Sequence, residues 1–205
     1  MTIAENDTLS DVSRETSERL EGFEALIRRW NPRINLVSAA SMNALRERHI
    51  CDSIQVFRCI APSGLWVDIG TGGGFPGLIC AILAVEEAPD LRFVLVESDK
   101  RKASFLRVAT QELGLNCEIL AKRAEAVAPL GADILSARAL APLSRLLGLA
   151  GRHLAPGGTA LFPKGKTWRD EVAEAQCTQT FRYEAIPSVT DQDAVILKID
   201  GASID

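Results

Sequence analysis

The sequence predicts an α/β fold: a mostly parallel, Rossmann-like sheet of seven strands with helices on both faces, preceded by a small helical cap. Three observations predict it. From residue 65 onward, short apolar runs of strand length alternate with segments of helical periodicity. A glycine-rich turn joins the first such strand to the first such helix. Before residue 60 the periodicity is helical only. Regular β-α alternation requires crossover connections, and these put helices on both faces of a parallel sheet. The reading divides the chain into a cap at 1–60 and a ligand-binding domain at 61–205.

The elements follow in order. Residues 1–12 are polar and read as a frayed start. Leu20, Phe23, Leu26, Ile27 and Trp30 fall at helical spacing, with Asn31-Pro32 as the expected stop. A second helix is expected from about Ser41 to Phe57. Pro62-Ser63-Gly64 is a turn. Leu65–Ile69 reads as a buried strand, Pro76 to about Glu87 as a helix, and Leu91–Glu97 as a second strand. Asp99 caps a helix reaching about Leu113, which Gly114 stops. Cys117–Leu120 and Ala132–Ala137 are strands, and Pro142–Leu154 is a helix. Pro156-Gly157-Gly158 is an expected turn before a strand at Thr159–Phe162. Thr167–Gln176 is a helix, and Phe181–Ile186 with Ala194–Ile199 form a closing antiparallel pair.

In open α/β sheets, ligands sit beyond the carboxyl ends of the strands. The first such end carries Val67-Asp68-Ile69-Gly70-Thr71-Gly72-Gly73-Gly74-Phe75-Pro76-Gly77. Gly72, Gly74 and Gly77 fit GxGxxG, a pattern that alone would also suit a dinucleotide fold. Pro76 removes one N–H donor from the helix start, which weakens a pyrophosphate cradle. Asp68 places a carboxylate beside the loop, which suits a cation. S-adenosylmethionine carries a sulfonium and an ammonium and no phosphate, so it fits better. Glu97 ends the second strand, where a carboxylate accepts the hydroxyls of an adenosine ribose. Ala124-Glu125, after Lys122-Arg123, falls where the adenine edge would lie. Replacing Asp68 or Glu97 with alanine is expected to weaken cofactor binding with little loss of fold.

Composition narrows the class. With 23 basic and 27 acidic residues the net charge is −4, against a polybasic binder. Seven acids fall within the first 24 residues, whereas basic residues gather near strand ends. Arg28, Arg29, Arg33, Arg48, His49, Lys164 and Lys166 are the candidate RNA contacts, and Arg138 and Lys164 the candidate substrate-positioning residues. The five cysteines are widely spaced with no zinc pattern, so no metal is expected and free thiols in a reducing cytoplasm are. No apolar run reaches the roughly 20 residues that span a bilayer, and the polar, acidic start is no signal peptide. No cysteine follows the fourth or fifth strand to serve as a methylation nucleophile. Methyl transfer to a ring-nitrogen lone pair such as guanine N7 needs no general base, so the lack of an acid–base pair fits that chemistry.

Asn35-Leu36-Val37-Ser38, Arg48-His49-Ile50-Cys51-Asp52-Ser53, the 67–77 loop, Lys100-Arg101-Lys102 with Phe105-Leu106, Ser136-Ala137-Arg138-Ala139 and Lys164-Gly165 together carry a resemblance. From about residue 23 to its end the chain is similar to the bacterial 16S ribosomal RNA guanine-N7 methyltransferase family, also called glucose-inhibited division protein B. The resemblance implies a class I S-adenosylmethionine-dependent methyltransferase fold. It also implies methyl transfer to N7 of one guanosine of 16S ribosomal RNA, within the small ribosomal subunit or its precursor, by a monomer. Gly70, Phe75, Ala124, Glu125 and Arg138 correspond to family cofactor contacts, and Asp68, Gly72, Gly74 and Glu97 fit the same pocket. Arg48, His49, Asp52 and Lys164 match motif positions to which the resemblance assigns no role. Cys51 and Gly73 depart from the common residues. Two other readings stand beside this one: a non-catalytic adenosine-ligand-binding assembly or regulatory factor on the same fold, and a nicotinamide oxidoreductase.

Overall fold

The computed structural model describes residues 11–204, so most of the frayed start expected at 1–12 lies outside the described residues. Seven strands form one sheet: β1 (Leu65–Ile69), β2 (Arg92–Val96), β3 (Cys117–Leu120), β4 (Ala132–Ser136), β5 (Leu154–Lys164), β6 (Tyr183–Pro187) and β7 (Val195–Asp200). Their order is β3-β2-β1-β4-β5-β7-β6. The first five run parallel, and β7 joins antiparallel to both β5 and β6. The order reverses between β1 and β4, the switch point at which a ligand crevice opens.

The helices are α1 (Arg14–Ile34), α2 (Ala39–Asn43), α3 (Asp52–Arg58), α4 (Gly77–Glu87), α5 (Lys100–Glu112), α6 (Leu143–His153) and α7 (Trp168–Gln176). Strand alternation sorts the core into two layers. Trp66, Phe93, Leu95 and Ile134 pack with α1, α3, α4 and α5 on one face. Val67, Ile69, Val94, Leu135 and Phe162 pack with α6 and α7 on the other. Helix α4 is apolar nearly all round because it is sandwiched between the sheet and the N-terminal helices.

Three details depart from the expected elements. Helix α1 runs through Pro32 to Ile34, because a proline in the last turn forfeits only one hydrogen bond. Its end is set instead by Asn35, left-handed at φ 50°, whose N–H donates to Asn31 O. The single helix expected over 41–57 is three pieces: α2, a π-helical stretch at Arg46–Cys51, and α3. The Pro156–Gly158 turn does not leave the sheet but forms an irregular bulge inside β5, with Gly157 at φ 81° and a register jump opposite Ala132–Ile134.

Candidate functional site

The site grows from the end of β1. Because side chains alternate, Trp66 and Asp68 lie on the same face, under α4, while Val67 and Ile69 turn to the other. Register pairs Asp68 with Ser136 of β4. A buried chain of hydrogen bonds results. Trp66 Nε1–H donates to Ser136 Oγ at 2.8 Å, and Ser136 Oγ–H donates to Asp68 Oδ1 at 2.6 Å. Gly77 N–H, at the head of α4, donates to Asp68 Oδ2 at 3.0 Å. Asp68 is fully buried, and burial lifts its carboxyl to about 6 against the opposing pull of the Ser136 hydroxyl. It is thus turned inward beneath the loop. Alanine there would strand two buried donors, so the expectation of little loss of fold does not hold at this position.

Gly77 has a matching explanation. A Cβ on it would lie 2.6 Å from both Asp68 Cβ and Leu95 Cδ2, so only glycine lets α4 start against the strand. Gly70, Gly72 and Gly74 all have positive φ. A Cβ on Gly74 would crowd Leu78 and Phe23, so Gly74 serves packing of α1 on the loop. Phe75 is a buried hub: its ring centroid lies 5.3 Å from Phe23, 5.1 Å from the His49 ring and 5.2 Å from the Arg138 guanidinium carbon.

Glu97 closes the other side of the loop. Its Oε2 accepts the Gly72 N–H at 2.9 Å and its Oε1 the Asp99 N–H at 2.7 Å. Each carboxylate oxygen accepts more than one hydrogen bond, so both retain capacity for a ribose hydroxyl. A pocket of about 70 Å³ opens beside it, lined by Gly70, Val96, Ser98, Ala124, Glu125 and Leu140. Ala124 is anchored from behind, where its carbonyl meets His153 Nε2 at 3.1 Å. Glu125 pairs with Arg145, which holds its carboxyl below the usual range. The glycine cradle and the Glu97 acceptors leave hydrogen-bonding capacity at the loop mouth, beside this pocket. They do not fit a pyrophosphate, because the α4 N–H that would greet one is already taken by Asp68.

Across Leu140, whose side chain covers Gly70, lies a cleft of about 670 Å³. Arg48, His49, Asp52, Arg138 and Lys164 line it, together with the Ser188–Thr190 loop. Arg138 donates to the Arg48 carbonyl at 3.2 Å. Burial lowers the pKa of this guanidinium, against the attraction of Asp52 and Asp68. His49 is pushed down to about 4 by burial and by the adjacent charges of Arg138 and Arg48, so it is neutral near pH 7. Lys164 donates to the Ala141 carbonyl at 3.1 Å and to Glu171 at 2.7 Å, and only 9% of its side chain is exposed. It ties the loop before α6 to helix α7. Lys166 is exposed on the loop after β5. Arg28 and Arg29 lie on α1 in ion pairs with Glu24 and Glu112, and neither they nor Arg33 line the cleft.

Sequence reasoning missed Ser136 as the anchor of Asp68, Leu140 as the divider between pocket and cleft, and Thr190 and Ser188 as partners of Asp52. For Ser136, strand parity was an available signal. For the Asp52 partners, 138 residues away at Thr190, no local signal exists.

The sheet order, the β1–α4 loop and the carboxylate at the end of β2 define a class I S-adenosylmethionine-dependent methyltransferase. The solved structures agree in fold: a SAM-dependent methyltransferase from Aquifex aeolicus matches at TM-score 0.60 and 13% identity, over 86% of this chain and 97% of that one. The family model described as rRNA small subunit methyltransferase G matches residues 16–196. Ribosomal RNA small subunit methyltransferase G of Ruegeria pomeroyi is 56% identical over 99% of both chains. That of Paracoccus denitrificans is 47% identical over 93% of this chain and 97% of its own. The chain belongs to the rRNA small subunit methyltransferase G family.

Proposed function

We propose that the chain transfers a methyl group from S-adenosylmethionine to N7 of a specific guanosine in 16S ribosomal RNA, acting as a cytoplasmic monomer on the small ribosomal subunit or its precursor. One observation carries the cofactor half of this reading: Asp68 occupies the N–H at the head of α4 from below, while Glu97 stands at the loop mouth with acceptor capacity to spare. This favours an adenosine without a pyrophosphate over the nicotinamide reading. The cofactor supplies a methyl on a sulfonium. Glu97 would hold the ribose, Ala124 and Glu125 the adenine edge, and Gly70, Gly72, Gly74 and Phe75 the backbone cradle. Arg138 lies over the Phe75 ring of the loop and lines the cleft.

The acceptor half follows from the family and from what the cleft provides. Guanine N7 is an unprotonated acceptor whose lone pair attacks without losing a proton. The cleft accordingly needs to position a base in line with the methyl. The test compares small-subunit RNA from cells with and without this chain, by cleavage chemistry selective for N7-methylguanosine. It is completed by incubating the purified chain and S-adenosylmethionine with unmodified subunits. A single new cleavage site is expected. An unchanged pattern in both experiments would refute the reading.

A further inference from the structure

Most polar side chains around the large cleft are committed within the chain. Gln55 donates to the Pro187 carbonyl and accepts the Val189 N–H. Glu171 accepts from Lys164 and from the Leu143 N–H. The Ser188 and Thr190 hydroxyls both point at Oδ1 of Asp52. Asp52 is committed through one oxygen only. Its Oδ2 accepts no hydrogen bond among the described residues, although the carboxylate is half-buried and fixed in orientation by those hydroxyls. His49, one turn earlier, has both ring nitrogens buried without partners. Both residues line the cleft, Asp52 just after and His49 within the π-helical stretch at Arg46–Cys51, a distortion that recurs at functional sites.

A fixed carboxylate with a vacant oxygen, in the same cleft as Arg138, has the chemistry to accept two converging N–H groups, one on each lone pair of that oxygen. Guanine offers such a pair on its Watson–Crick edge, N1–H and the N2 amino group; adenine does not. We infer that Asp52 selects guanine, accepting N1–H and N2–H of the target base while its N7 faces the methyl donor.

This rests on the guanine-N7 reading above and sharpens it. In the transfer, a bond forms from the N7 lone pair to the methyl carbon as the carbon–sulfur bond breaks. The bonding pair stays on sulfur, and the positive charge passes to the purine. A carboxylate bonded to N1–H therefore interacts more strongly with the transition state than with the neutral base, the condition for raising rate as well as affinity. The neighbouring imidazole adds no opposing charge, since it stays neutral near pH 7.

The experiment uses small subunits reconstituted with 16S RNA carrying either guanosine or inosine at the methylated position, with labelled methyl incorporation as readout. Inosine keeps N7 and N1–H and lacks only the N2 amino group. Losing one hydrogen bond to a charged acceptor is expected to cut kcat/KM by about tenfold to 100-fold in the wild type. In Asp52→Ala the guanosine rate is expected to fall by at least as much, and the guanosine-to-inosine ratio to approach one. Equal use of both bases by the wild type overturns the inference without any variant. So does an Asp52→Ala enzyme that is slowed equally on both with its preference intact, the signature of a merely structural role. If the wild type places no methyl at N7 of any guanosine, the reading beneath the inference fails, and that outcome is distinct from the other two.

Discussion

Asp68→Asn is the most informative single change, because the cost of the native carboxylate is computable. The carboxyl sits at about 6 in the folded chain, against an ordinary 3.8. Between those values the folded state binds more protons than the unfolded one, so stability falls as pH rises through the window. By pH 7 the buried charge costs about 3 kcal/mol relative to its protonated form, at about 1.4 kcal/mol per pH unit. Asparagine removes that titration and still accepts the Gly77 N–H. It leaves one donor of the chain unpaired, a loss of about 1–3 kcal/mol. The two effects offset at neutral pH, so the variant is expected within about 1–2 kcal/mol of wild type at pH 7.5 and clearly less stable near pH 4. Urea unfolding followed by tryptophan fluorescence is the assay, since Trp66 donates into the same network. The stability difference should change by about 2 kcal/mol between pH 4 and 7. A difference independent of pH would refute the assignment of Asp68 as a buried, titrating carboxylate.

Glu97→Ala removes the acceptors of the Gly72 and Asp99 N–H groups, and S-adenosylmethionine affinity by calorimetry is expected to fall about tenfold or more; an unchanged Kd would show that the ribose lies elsewhere. Gly77→Ala puts a Cβ 2.6 Å from Asp68 and Leu95, an overpacking of about 2 kcal/mol that should lower Tm by about 4–8 °C in scanning calorimetry. An unaltered Tm would mean that α4 is free to shift. His49 sits at about 4 rather than 6.5, so the unfolded chain binds the extra proton, and the stabilisation present above pH 6.5 is lost as pH falls toward 4. Relative to His49→Gln, the wild type should lose about 1–2 kcal/mol over that range, after allowing for the partial exposure of the ring; parallel curves would contradict a buried neutral imidazole.

The strands and helices were legible because apolar periodicity is a local property. β1, β2 and β3 differ from their expected ends by at most one residue, since each is a short apolar run bounded by polar or turn residues. What was not legible depends on contacts between distant segments. Pro156-Gly157-Gly158 has the composition of a turn, but its neighbours on β4 keep it in the sheet as a bulge. No local signal marks the π-helical stretch, whose residues would equally suit an α-helix. Asp68 was legible as a carboxylate next to the glycine loop, and its alternation with Val67 and Ile69 was countable. Its inward direction required knowing which sheet face carries α4.

The same distinction bears on net charge. Position in the sequence suggests that Arg28 and Arg29 belong to a basic patch, but their guanidiniums lie 2.7 Å from Glu24 and Glu112, and Arg46 also turns toward Glu24. Exposed pairs of this kind add little to stability, about 0–1 kcal/mol each. They do neutralise the outer face of α1, so a polyanion approaching there meets almost no net charge. Lys122 and Arg123 after β3 and Lys166 after β5 stand instead at the carboxyl ends of strands, and Arg48 lines the cleft, all four free of ion pairs among the described residues. A net charge of −4 therefore does not describe that end of the sheet: part of the acidic charge is spent pairing arginines on α1, while these four basic side chains stay unpaired near the cleft and the small pocket.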